Sequence, residues 1–169
     1  MINKIKHILD IFGYISTIIV IIITVKGIIL WVRGILPVLL RLGNGLAKSR
    51  IAIFAKGEHL SILTNLLKDS GLFTRINIIY ISDKSDIGRS ENVSLYLVFW
   101  HDWENDIDDI LSQKKDRVPL IIYSPPNLGR IPDDKMRLLN EKRNTIVTNF
   151  RGRLLNDIMI SLITGSYEK

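Results

Sequence analysis

Four polar stretches carry residue types that could do chemistry, and each follows an apolar run: "KGEH" (56–59), "HDWENDIDD" (101–109), "SPPNLGR" (124–130) and "NFRGRLLND" (149–157). Glu58, His59, His101 and Asp102 have the chemistry of a metal site or an acid–base pair. No two of them have the spacing of ligands on one helix face, and capping of helices is the competing explanation. The acids Asp102, Glu104, Asp106, Asp108 and Asp109 crowd one segment, where an acidic first turn would complement a helix dipole. In the last stretch Asn149 is a candidate N-cap, and Arg153 lies four residues before Asp157, the spacing of a surface pair. Arg151-Gly152 remains unexplained, because a cation in a first helical turn opposes the dipole. A phosphate, or an acidic patch on a neighbouring copy, would benefit there from exposed N–H groups and the guanidinium, with Arg130 and Arg153 as further cations. Glycine-rich phosphate loops, nucleophile elbows and paired-histidine zinc motifs are missing from the sequence, and it has no cysteine. No metal and no cofactor is therefore expected.

Elements with the right periodicity lie between these stretches. Short apolar, β-branched runs at 50–55, 76–82, 93–100, 118–124 and 144–149 read as five buried strands. Helical patterns lie between or after them at 59–71, 104–115, 133–143 and 152–164. Alternation of this kind predicts an α/β, doubly wound, mainly parallel five-stranded sheet of order 2-1-3-4-5 over residues 50–169. The link at 83–92 has only ten residues, too few for an ordinary crossover helix, so one turn around Ile87 or no helix is expected there. In such sheets ligands sit at the carboxyl ends of the strands, where all four polar stretches fall.

The N-terminal segment is different in kind. Residues 1–49 hold six bases and one acid, whereas residues 50–169 hold 17 bases and 16 acids. The net charge of +6 thus belongs mainly to the N-terminal segment and does not mark a nucleic-acid-binding domain. The apolar stretch from Ile11 to Val32, with Lys26 snorkelling, spans about 33 Å as a helix, enough for the hydrocarbon core of a bilayer. A transmembrane helix over about 10–32, an amphipathic continuation over 33–42 and a linker over 43–49 are expected. Lys4 and Lys6 precede the span, while Arg33, Arg41, Lys48 and Arg50 follow it, which predicts a single-pass protein with a cytoplasmic C-terminal domain. Lys26-Gly27 and Arg33-Gly34 recur after seven residues and share a face, where small residues would let a second helix approach.

The segment "LYLVFWHDWENDIDDILSQKKDRVPLIIYSPP" resembles a TIR-like or receiver-like (flavodoxin-like) domain: a strand, a tryptophan opening an acidic helix, then a strand with an early proline. NAD-cleaving members of the TIR family use a glutamate about three residues after that tryptophan. Here that position is Asp106, with Glu104 beside Trp103, so the enzymatic alternative rests on Asp102, Glu104 or Asp106. In the receiver comparison Asp102 and Ser124 take the places of phosphoacceptor and hydroxyl, but Ala55-Lys56-Gly57 replaces the paired acids after strand one. A membrane helix carrying such a domain is similar to bacterial anti-phage defence effectors of the inner membrane. That resemblance implies a homo-oligomer on a lipid bilayer, responding to a partner protein or nucleotide signal. A non-enzymatic, self-associating module is the expectation; the alternative is a nucleotide-sensing or NAD-cleaving enzyme.

Overall fold

A computed structural model describes residues 2–47, 49–71 and 77–167; Lys48 and Ile76, read above as linker and strand, lie outside them. The chain divides into two units, 1–43 and 44–169.

The first unit lies on helix α1 (Ile2–Ala47), which includes Pro37. From Ile11 to Val38 it is long and apolar enough to cross a membrane, and none of that stretch is buried. Its hydroxyls need no water: Ser16, Thr17 and Thr24 donate to the carbonyls of Phe12, Gly13 and Val20, four residues back. The expected linker differs from what is observed, since α1 runs on through residues 43–47. No proline follows Pro37 in this stretch, and Gly43 and Gly45 weaken a helix without breaking it.

The second unit is a five-stranded parallel sheet in the order β2-β1-β3-β4-β5, as the alternation predicted. The strands are β1 (Arg50–Phe54), β2 (Asn77–Ile81), β3 (Leu95–Phe99), β4 (Leu120–Tyr123) and β5 (Thr145–Thr148). Helices α2 (Gly57–Asp69) and α6 (Arg151–Tyr167) cover one face, setting Leu63, Leu67, Leu154 and Ile158 against Ile51, Ile53, Leu97 and Ile121. On the other face α4 (Ile107–Gln113) and α5 (Asp133–Glu141) set Ile107, Ile110 and Leu139 against Phe54, Tyr96, Val98 and Ile122. Because both faces are covered, the strands must be apolar at consecutive positions, and β3 and β4 are buried throughout.

The short link after β2 forms a 3-10 helix (Lys84–Ser90) that buries Ile87, and its seven residues make about two turns where one was expected. The acidic helix is shorter than its pattern suggested. A separate turn, α3 (Trp100–Trp103), leaves β3 first, and α4 begins only at Ile107. Trp100 and Trp103 are both essentially inaccessible, and burying two indoles so close together directs the chain inward before α4 can start. Trp103 meets Phe54 edge-on at 5.5 Å, and Phe54 stacks on Tyr96 at the same distance.

Burial is the main cause that raises the Tyr96 phenol above its ordinary value; Glu91 adds to it, while the hydrogen bond with Ser90 opposes it. The folded state therefore holds this proton more tightly than the unfolded chain does. Its contribution to stability is complete below the ordinary phenol pKa of about 10 and is lost as pH rises through the higher folded value. Denaturation of the full chain in detergent as a function of pH should show Tyr96→Phe less stable near neutrality by about 1 kcal/mol. Above pH ~10 its stability should fall less steeply than that of the parent.

Candidate functional site

The carboxyl ends of β1 and β3 adjoin at the point where the chain reverses its direction of progress across the sheet, the usual ligand crevice of this architecture. Here the crevice is bridged by one carboxylate. Asp102 Oδ2 accepts from the Lys56 backbone N–H at 2.7 Å, and Oδ1 accepts from His59 Nδ1 at 2.9 Å. A carboxylate only accepts, so His59 Nδ1 carries the proton of this bond, and Nε2 lies on the other side of the ring. The imidazole stacks on Phe99 with 4.0 Å between ring centres, which fixes its plane. Lys56 extends its ammonium over the Trp103 ring, 4.8 Å from the centroid. Asp102 thus ties the α2 start to the end of β3, where Lys56 is the capping residue and its own side chain makes no cap bond.

Of the four residues first grouped as a metal or acid–base cluster, the structure joins His59 and Asp102 only. Among the described residues no set of three or more metal-binding side chains converges. Sequence spacing could not reveal the pair: it is 43 residues apart, and adjacency of β1 and β3 creates it.

Three of the remaining acids of 101–109 are engaged elsewhere. Lys84 bridges Asp106 and Asp109, and these two carboxylates, Asp109 foremost, hold its ammonium above the ordinary lysine range. Lys135 pairs with Asp108 at 2.9 Å. Glu104 is exposed in the turn between α3 and α4 and forms no ion pair among the described residues.

On the far side of the sheet Arg153 Nε lies 3.4 Å from Asp157 Oδ2, the surface pair its spacing predicted. The N-cap differs: the first helical acceptor is the Phe150 carbonyl, which receives the Leu154 N–H at 2.9 Å, so Phe150 rather than Asn149 starts α6. Asn149 is displaced because Thr148 ends β5 inside the core, leaving two residues for the turn. Gly152 is an ordinary helical position, and a Cβ there would touch nothing, so no glycine-dependent anion loop exists. Arg151 and Phe150 are exposed, as is Arg130 in the loop after β4. That loop is shaped by Gly129, whose φ of +105° with ψ near 176° is available only to glycine. Three buried polar atoms near this edge have no hydrogen-bond partner among the described residues: His101 Nδ1, Trp103 Nε1 and Thr148 Oγ1.

No protein-family model and no curated protein matches the sequence. A solved structure, the E. coli constitutive lysine decarboxylase, is similar over 71% of this chain at 15% identity and a TM-score of 0.48. The match takes in only 17% of the decarboxylase chain.

The carboxylate bridge has a measurable role in stability. Asp102→Ala removes the acceptor of two N–H groups and frees the His59 ring. Chemical denaturation should show a loss of about 1–3 kcal/mol, with Asp102→Asn intermediate because its one carbonyl oxygen can keep one of the two bonds.

Proposed function

We propose that this protein is a membrane-anchored, non-enzymatic signalling or effector module whose α/β domain self-associates or binds a partner. The observation that carries this reading is the unburied apolar stretch Ile11–Val38, joined to a domain with a complete core of its own. An apolar helix bare on every side has no stable place in water, and a bilayer satisfies it. The excess of Lys and Arg after the span favours insertion in the inner membrane with the domain in the cytoplasm. Of the candidate catalytic acids, Asp102 and Asp106 are already committed to His59, Lys56 and Lys84 while Glu104 is exposed in a turn, which favours surface contact as the activity. Arg130 and Arg151 beside the exposed Phe150 suit an acidic, partly apolar surface such as another copy or a partner protein. In α1, a Cβ at Gly27 or Gly34 would meet no atom of this chain, so either position has room for a second helix beside Lys26 and Arg33. Perturbation of the membrane by clustered anchors, as in anti-phage defence, is the setting that the TIR-like resemblance suggests.

A second reading, a tethered nucleotide-sensing or NAD-cleaving enzyme, draws support from the His59–Asp102 pair. An Asp-oriented imidazole is the arrangement of a general base. Incubating purified full-length protein with NAD⁺ and cyclic nucleotides separates the two. The module reading predicts neither turnover nor a shift in melting temperature, and turnover abolished by His59→Gln would replace it.

Two further outcomes follow from the module reading. Fractionated cells should retain the protein in membranes after alkaline washing, with a C-terminal tag digested only when the cytoplasmic side is exposed. Cross-linking in those membranes should yield multimers that Arg151→Glu or Gly27→Leu/Gly34→Leu diminishes. A chain that stays monomeric under every condition that triggers a cellular response would end the self-association proposal.

A further inference from the structure

The two edges of the sheet treat their charges differently. The five ion-paired clusters of described side chains (His59–Asp102, Lys84 with Asp106 and Asp109, Arg89–Asp86, Lys135–Asp108 and Arg153–Asp157) all involve segments that follow the carboxyl ends of strands. The loops entering the amino ends of β4 and β5 hold Lys114, Lys115, Arg117, Lys142 and Arg143, and none of these forms an ion pair among the described residues. The local acids are only Asp116 and Glu141. The two loops are held together, because Lys114 Nζ donates to the Arg143 carbonyl at 2.8 Å and Asn144 Nδ2 to the Asp116 carbonyl at 3.0 Å. Between this pair of loops and the end of α6 lies a cleft of about 180 Å³, bordered by Arg117, Asn144, Ser161 and Thr164.

We propose that this amino edge is a binding face for the anionic phospholipid headgroups of the membrane that holds α1. The inference rests on the membrane-anchored reading and adds to it a second, electrostatic contact. Lys114 itself is half-buried where the loops join: burial lowers its pKa, Asp116 raises it, and the Lys142 charge lowers it. A protein surface that leaves four exposed bases unpaired keeps a field available to an external anion. A bilayer is favoured over a soluble anion by chain connectivity. β1, whose amino end belongs to this same edge of the parallel sheet, begins at Arg50, three residues in sequence after Ala47, the last residue of α1. Each Lys or Arg held within a Debye length of an anionic leaflet favours contact by about fivefold.

Full-length protein, which needs no part to fold alone, can be placed in nanodiscs of phosphatidylcholine with or without phosphatidylglycerol and followed by amide hydrogen exchange. Exchange across 113–118 and 141–145 should slow several-fold in the anionic discs only, and high salt should reverse the effect. Lys115→Glu/Arg117→Glu/Lys142→Glu/Arg143→Glu should abolish it, and the corresponding Gln variant, gentler on folding, should reduce it. Arg130→Glu/Arg151→Glu at the other edge should leave it intact. Equal exchange in both discs overturns the proposal. So does protection in neutral discs, which would indicate a second copy, or protection there only after adding phosphate or a nucleotide, which would indicate a soluble anion. Failure of the chain to incorporate into either disc would instead refute the anchor itself.

Discussion

A parallel sheet must be covered on both faces, and that requirement governs the α/β domain. Parallel strands require crossovers, the crossovers lay helices on each face, and the side chains of the central strands are then sealed from water on both sides. Ile53 and Phe54 are neighbours in β1, yet one joins the core under α2 and α6 and the other the core under α4 and α5. No strand side chain in the middle of the sheet can serve a ligand or a partner. Within the sheet this leaves the two ends, where the loops emerge, open to contacts.

The two ends have been used differently. At the carboxyl end lie the ion pairs, with Asp102 accepting from the start of α2 at the switch point, while Arg130 and Arg151 stay exposed and unpaired among the described residues. Lys84 and Lys135 neutralise the acids that begin α4. The Asp102 bridge joins the start of α2 to the end of β3. At the amino end the bases of the two short loops remain without counter-ions, although the sequence of residues 50–169 as a whole is nearly neutral. Net charge hid this division, because the fold sorts the charged residues by strand end.

The apolar helix follows a separate logic. Between Ile11 and Val38 none of its side chains is buried, and the hydroxyls of Ser16, Thr17 and Thr24 bond to their own backbone. Each unit has its own means of burying or satisfying its surface, which explains why the two could be read independently from the sequence.

Composition and period alone decided much here. A run of apolar residues from Ile11 onward needs no tertiary context to be an apolar helix, since only its own backbone bonds are required. Five apolar runs separated by helical spacers left a parallel doubly wound sheet as the natural solution, and the ten residues after β2 were too few for an ordinary crossover helix, leaving the short 3-10 helix around Ile87. Arg153 and Asp157 were legible because a helix repeats every turn. The His59–Asp102 bridge, the burial of both Trp100 and Trp103 that delays α4, and the gathering of Lys114 with Arg143 were not. Each joins segments that are distant in sequence or shifts a boundary through packing, and only the adjacency of strands in the folded sheet determines such contacts.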